Sequence, residues 1–363
     1  QVFNENVFIF TKEELGESGI SISFGKEEIY EFNLAYHLEN TNLFPIKTEV
    51  ALPPDTNYQD VTIEQIDPKP LNVVEDQDGN WLAQYVLSPS KQLDVKVTGK
   101  ARISLHPKKQ KESKEKLNLY LKEQPFWETS DKNIRELAKR LKTPFEIYNY
   151  VVKTLKYDFS RVSENLPRLG AKKVLDNPNS AVCLEFTDLF IGLSRAAGIP
   201  AREINGFAYT QNSKEKPLSL VKDVLHSWPE YYDYDLESWV MIDPTWGNTT
   251  GGVDYFYTLD FDHFAFVIKG AGSSYPIPAG GYKDQNENTK DVNVKFAENF
   301  DNSKETLSIS ENFDTDYFSL MNVSGNIMVR NIGNIASSPQ TITVGSNFFT
   351  PSQQKINFES INP

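Results

Sequence analysis

Apolar residues recur every three to four positions between Ser130 and Gly198, and they alternate in short runs before and after that stretch. In "SDKNIRELAKRLK", Ser130 or Asp131 can cap a helix whose inward face carries Ile134, Leu137, Ala138 and Leu141. Pro144 permits a second helix with Ile147, Tyr148, Val151, Val152 and Leu155. A third presents Phe186, Leu189, Phe190, Leu193 and Ala197, and Gly198 closes it before Ile199-Pro200. Strand-like segments follow: "REINGFAY", "SWPEYYDY", "ESWVMIDP" and "HFAFVIKG". Helices first and antiparallel strands afterwards make an α+β domain.

Upstream the chain reads as strands. "DVKVTGKARISL" alternates Val95 and Val97, then Ile103 and Leu105. Two β-rich runs flank Asp78-Gly79-Asn80, a hairpin turn signal. The spacing of Asp76, Asp78 and Asn80 also resembles the start of a calcium loop. Such a loop needs an acidic residue near its end, whereas here Trp81 opens an apolar strand. The hairpin prevails. Residues 1–122 are therefore expected to form a β-sandwich domain and 123–284 the α+β core. Behind the polar linker "YKDQNENTK", residues 285–363 are expected to form a second, smaller β-sandwich.

A chain of 363 residues exceeds one ordinary core, and 39% apolar with 12% aromatic residues can pack several. The net charge of −13, from 37 basic and 50 acidic residues, argues against nucleic acid or an anionic membrane as main partner. No apolar run approaches the roughly 18–20 residues of a membrane helix. Gln1 in place of Met, and Pro363 just after a strand-like run, are expected of a chain whose leader or anchor has been removed. The absence of disulfides fits the cytosol and many bacterial surface proteins alike.

Cys183, the only cysteine, stands at the head of the third helix, where Ser180 is expected to accept from its amide. One thiol makes no internal disulfide, and no zinc site without other ligands. It is either a small buried hydrophobe or a nucleophile. Of the four histidines, His37 and His106 lie in the first β-domain and suit surface or structural roles. His226 directly precedes a strand, and Asp243 ends the next one, so two adjacent strands can set the carboxylate on the imidazole. A helix start and a neighbouring imidazolium both favour a thiolate. The histidine can then return a proton to a leaving amine, while the carboxylate fixes its tautomer.

The residues around these three sharpen the reading. "VCLEFTDLFIGLSRAAGIPAREINGFAY", "HSWPEYY" and "WVMIDPTWG" resemble, in that order, the three core motifs of the transglutaminase-like superfamily. The resemblance covers roughly residues 124–284. "LPPDTNYQDV" and the hairpin around Asp78 are similar to the β-domain preceding this core in some prokaryotic surface members. It implies a papain-like core, with the cysteine helix packed on an antiparallel sheet between β-sandwich flanks. It also implies Cys183 as nucleophile, His226 as general base and acid, and Asp243 as the orienting carboxylate. Ala181 stands where Gly is common, and Leu184 where the animal crosslinking enzymes have Trp, so calcium-regulated crosslinking is not supported.

The motifs do not fix a side-chain oxyanion donor; Tyr157 in "LKYDF" is the candidate. Trp228, Trp239 and Trp246 suit core or cleft-wall positions, with Trp228 and Trp246 the cleft candidates. His263 suits a structural or rim position, and Asp254, Asp260 and Asp262 a solvated acidic face. Arg195 and Arg202 suit packing and ion pairing near the helix end. The family resemblance implies a cysteine hydrolase or acyltransferase acting on a protein, peptide or cell-wall peptide through a thioester. It implies no cofactor and no metal, and an extracytoplasmic or cell-surface setting, the cytoplasm being the alternative. A binding or adhesion module that keeps the fold without turnover is the rival.

Overall fold

The computed structural model describes residues 26–162, 167–218, 223, 225–257, 259–282, 290–300, 307–313, 325–332, 337, 339–345, 353–358 and 361. The expected linker "YKDQNENTK" lies almost wholly outside them. The chain divides into two compact units, 1–297 and 298–363.

In the first unit six strands come first: β1 (Glu27–Glu39), β2 (Ile46–Leu52), β3 (Gln59–Asp67), β4 (Asn72–Glu75), β5 (Trp81–Leu87) and β6 (Gln92–Ser104). Helices follow: α1 (Lys114–Leu119), α2 (Lys132–Ala138), α3 (Pro144–Thr154), α4 (Gly170–Asp176) and α5 (Cys183–Ala196). Then come β7 (Ala201–Ala208), β8 (Leu225–Asp233), β9 (Ser238–Met241), α6 (Pro244–Thr249), β10 (His263–Lys269) and β11 (Val292–Phe296).

Alternation on β1 buries Tyr30, Phe32, Leu34, Tyr36 and Leu38. They share a core with Val50, Leu52, Ala83, Tyr85 and Leu87 of the β2-β5-β4 sheet. The sheet holding β1 is ordered β11-β1-β6-β3. β11 lies beyond the expected boundary at 285, yet Tyr30 pairs with Phe296 and Leu34 with Val292. A strand from past the helical region thus completes the first sheet and covers the edge β1 would otherwise expose.

The second sheet of interest, β10-β7-β8-β9, is antiparallel throughout. α5 packs on β7 and β8, with α2, α3, α4 and α6 around it. Its apolar stripe, Phe186, Leu189, Phe190 and Leu193, meets Trp127, Ile147, Val151 and Tyr231. Gly198 at φ 84° lets the chain leave α5 in the left-handed turn that a side chain would strain. The mixed α+β architecture is the one expected from the order of periodicities.

α5 also carries charge inward. Asp188 accepts from Trp127 Nε1 at 2.9 Å and from Arg168 Nε at 2.9 Å, and Arg168 also pairs with Glu203. Asp188 and Glu203 are both fully buried. The same guanidinium donates to the Ser273 carbonyl and lies over the Phe126 ring.

Among the described residues, one edge of β10 has no strand beside it and is closed by side-chain amides instead. Gln59 donates to the Ala265 carbonyl and accepts from its amide, both at 2.9 Å. Asn80, just past the Asp78-Gly79 turn, does the same to Ile268 at 2.7 Å. Asp78 accepts from the amides of Gly270 and Ala271. Asn80→Ala strips two buried backbone groups of their partner, at about 1–3 kcal/mol each. It is expected to lower stability by about 2–4 kcal/mol in urea unfolding; a midpoint within error of the parent contradicts this assignment.

In the second unit the described residues form two antiparallel hairpins. β12 (Leu307–Phe313) pairs with β13 (Gly325–Asn331), and β14 (Gln340–Gly345) with β15 (Gln353–Phe358).

Candidate active site

Cys183 is the first residue of α5, behind an extended Val182. Glu185 reaches back to accept from the Val182 amide at 3.0 Å and from the Leu169 amide at 2.9 Å, and Arg161 pairs with it at 3.2 Å. Ser180 does not cap this helix: its hydroxyl accepts from Asn177 at 2.8 Å. A glutamate three residues into the helix, held by an arginine, satisfies the leading amide and leaves the serine to the preceding turn.

His226 is the second residue of β8 and lies opposite Gly206 of β7. A Cβ at Gly206 would run into the Phe264 carbonyl, so glycine lets β7 and β10 close up beside the histidine. Asp243 ends β9's exit and caps α6, its Oδ1 accepting from the amides of Thr245 at 2.9 Å and Trp246 at 3.0 Å. That fixes the carboxylate, whose Oδ2 accepts from His226 Nε2 at 2.9 Å. Cys183, His226 and Asp243 are 0%, 1% and 0% exposed.

Burial alone would strip the His226 ring of its charge. The charge and hydrogen bond of Asp243, reinforced by Cys183, outweigh it and raise the pKa to about 9. Burial would likewise raise the Asp243 carboxyl, but His226 and then His263 hold it well below the usual carboxylate range. The other His226 nitrogen, Nδ1, is buried without a hydrogen-bond partner.

Tyr157 bridges to Ala181, two residues before the cysteine. Its hydroxyl is buried without a partner, and burial, followed by the charge of Cys183, pushes it far above the ordinary phenol range. Trp228 and Trp246 are both fully buried and pack the histidines. Trp246 stacks on His226 at 4.9 Å, and Trp228 meets His263 edge-on at 4.9 Å.

His263 takes the structural one of its two expected positions, not the rim: it is 2% exposed, with Nε2 3.2 Å from Asp243 Oδ2 and Nδ1 3.0 Å from Asp260 Oδ1. One expectation needs correction. Asp260 is not on a solvated face: it is 5% exposed and accepts from Lys216 at 2.9 Å and Tyr255 at 3.0 Å. A carboxylate flanked by three side-chain donors and the Asp262 amide can be buried where a solitary one cannot. Asp262 shares Lys216 at 2.6 Å, and Asp254 caps a local turn through the amides of Phe256 and Tyr257.

Among the described residues, His226, Asp243 and His263 offer atoms all within 4.8 Å, near enough to share an ion. The two Nε2 nitrogens and Oδ2 are instead spent on each other as hydrogen-bond partners, and all three side chains are sealed from solvent. We assign the cluster to hydrogen bonding, not ligation.

The sequence profile of the transglutaminase-like superfamily matches residues 129–244, a span that holds Cys183, His226 and Asp243. The chain carries a transglutaminase-like domain. Similar solved structures include a candidate cysteine protease from Cytophaga hutchinsonii, at 14% identity and a TM-score of 0.44, covering 75% of this chain and 99% of that one. The periplasmic domain of TgpA from Pseudomonas aeruginosa, bound to ethylmercury, matches at 14% identity and a TM-score of 0.29, over 61% of this chain and 91% of that one. No curated protein sequence matches. At such scores the sequence profile, not the superposition, carries the assignment.

In the transglutaminase-like domain, β8 and the start of α6 bring His226 and Asp243 together, and Tyr157, from the segment after α3, bridges to Ala181 ahead of Cys183. Sequence reasoning missed Glu185 and Lys216, and it placed Asp260 on the surface. Glu185 was findable, since a glutamate in the first turn of a helix is a capping signal. Lys216 carries no such signal: it comes from the β7–β8 connection and lies over the Trp246 ring at 4.8 Å. No helix among the described residues is long and apolar enough to cross a membrane.

Proposed function

We propose that the protein is a cysteine-nucleophile hydrolase or acyltransferase acting on peptide or carboxamide bonds, with Cys183, His226 and Asp243 as its triad. The supporting observation is the buried His226–Asp243 hydrogen bond at 2.9 Å, on a ring whose proton affinity Cys183 also raises. The Cys183 thiolate attacks the carbonyl carbon, and the oxygen takes the displaced electron pair. Tyr157, with its unpartnered hydroxyl, is the side-chain donor for that oxyanion. His226 passes its proton to the leaving nitrogen as the C–N bond breaks, and a thioester remains. Water or an amine attacks the thioester, giving its proton back to His226 as the thiolate departs. The substrate is a protein, peptide or cell-wall peptide, in keeping with the family resemblance. An extracytoplasmic setting belongs to this reading, from the likeness of the first β-domain to those of prokaryotic surface members.

Incubation with a peptide library, with and without a primary amine, and mass spectrometry of products tests the reading. Cleavage marks a hydrolase, and amine adducts mark an acyltransferase. The rival reading, a binding module without turnover, is favoured by the complete burial of Cys183 and by Pro217, whose carbonyl accepts from Trp246 beside the site at 3.2 Å. It predicts neither product.

Labelling of the single thiol by iodoacetamide separates the two readings further. An ordinary thiol of pKa about 8.5 reacts roughly 80-fold more slowly at pH 6 than at pH 8, following its thiolate fraction. Taking the ratio of rates cancels any opening step that burial imposes at both pH values. A fall of less than about tenfold is expected for the native protein, and the ordinary fall for His226→Ala. Equal ratios in the two proteins reject the coupling of Cys183 to His226.

A further inference from the structure

Behind the triad the charges continue in strict alternation. Asp243 is shared by His226 and His263; His263 is shared by Asp243 and Asp260; Asp260 is shared with Lys216, which ends on Asp262. Every link but the Lys216–Asp262 end is buried or nearly so. His263 is the informative link. Both of its ring nitrogens face a carboxylate oxygen, Nε2 at 3.2 Å and Nδ1 at 3.0 Å. An ionised carboxylate only accepts, so neither nitrogen can present a lone pair without repulsion. The ring holds two protons and a positive charge.

We propose that His263 is a positioning residue for the Cys183–His226 pair, a permanent imidazolium that holds the same Asp243 oxygen as His226 does. The inference rests on the triad reading given above. Three consequences follow from the geometry. The shared contact holds Asp243 Oδ2 with two rings, so the carboxylate cannot swing away when His226 gives up its proton. It keeps Asp243 ionised, so that Asp243 does not itself collect the proton. And it places a second positive charge near the site, with the ring centroids of His226 and His263 5.7 Å apart. That charge opposes a proton on His226 and favours a thiolate at Cys183.

The groups facing His263 set the sign. Asp243 from the α6 cap and Asp260 on its own loop favour its charge; Asp262 does so more weakly; His226 on β8 and Lys216 oppose it. Trp228 and Trp246 contribute faces and edges but no charge, and Tyr255 spends its hydroxyl on Asp260. Two carboxylates in direct contact dominate, as the raised pKa of about 9 for His263 reflects after burial has worked against it.

The test is the pH profile of iodoacetamide labelling at Cys183 in the full chain, read by intact mass from pH 4 to 10. It compares wild type with His263→Gln, which keeps a hydrogen-bonding amide but removes the charge. Loss of a nearby positive charge makes both thiolate and imidazolium titrate higher, so both edges of the profile move up, by about one pH unit. A merely structural role lowers the melting temperature and leaves the edges in place, and that outcome overturns the proposal. Failure of His263→Gln to fold is covered by nitrogen NMR of the wild-type histidines, which number four. A His263 ring carrying protons on both nitrogens from pH 6 to 8 supports the proposal. A nitrogen without its proton there, whether free or holding a metal ion, overturns it. A wild-type profile indistinguishable from that of His226→Ala overturns the triad reading first, and the proposal with it. Edges present in wild type but unmoved in folded His263→Gln overturn the proposal alone.

Discussion

Cys183→Ala is expected to remove turnover and leave the fold standing. The thiol is the only one in the chain, and no other described side chain at the site can form the thioester, so nothing substitutes for it. The loss is on the order of 10⁴-fold or more, the scale seen when a nucleophile is deleted from a triad whose other members remain. Stability changes little, because the substitution removes one sulfur from a packed helix start, at a cost of about 1 kcal/mol. Product formation by mass spectrometry and a thermal melt on the same sample check both halves. Turnover within tenfold of the parent at an unchanged melting temperature rejects Cys183 as nucleophile.

Arg168→Ala has the largest expected effect on stability. The guanidinium is the cation between two fully buried carboxylates, Asp188 and Glu203. Removing one side of a buried ion pair costs about 3–5 kcal/mol, because the remaining charge stays buried without compensation. Burial already pushes the Asp188 carboxyl up to about 7 against the pull of Arg168. In Glu203 the same burial is overcome, chiefly by Arg168 and then Lys269, and its carboxyl sits below its ordinary value. Without the arginine both groups shift upward in the folded state. A carboxyl that binds its proton more tightly folded than unfolded loses stability as pH rises between the two pKa values. The variant should therefore be mildest near pH 4–5 and worst near pH 8. Urea midpoints at the two pH values check this; a loss below 1 kcal/mol, or one equal at both, contradicts it.

The fold was legible wherever burial imposed a period. α5 announced itself by its apolar stripe and by the Gly198 stop, and β4 and β5 by the turn around Gly79. The His226–Asp243 contact was legible because each residue sits in a short motif on adjacent strands or at their exit. What escaped was polar and non-local. Gln59 and Asn80 look like any surface amide until β10 is seen to lack a neighbour on that side. His263 and Asp260 lie near each other in sequence, but their partner Asp243 is brought in by a different turn. β11 alternates no differently from strands of a separate domain, so its return to β1 is a matter of topology, which periodicity does not carry.

That return has a mechanical consequence. Chain enters the first sheet through β1 at Glu27 and leaves it through β11 at Phe296, and the antiparallel register sets these two ends side by side, with Ala297 donating to the Ile29 carbonyl. Tension applied at the two points reaches the β1–β11 ladder before anything threaded between them. It acts at one end of that ladder, so the hydrogen bonds part in succession, as in a zip, rather than sharing the load in shear. The ladder is thus a tensile fuse. Its parting pays out a few residues of slack between those two points.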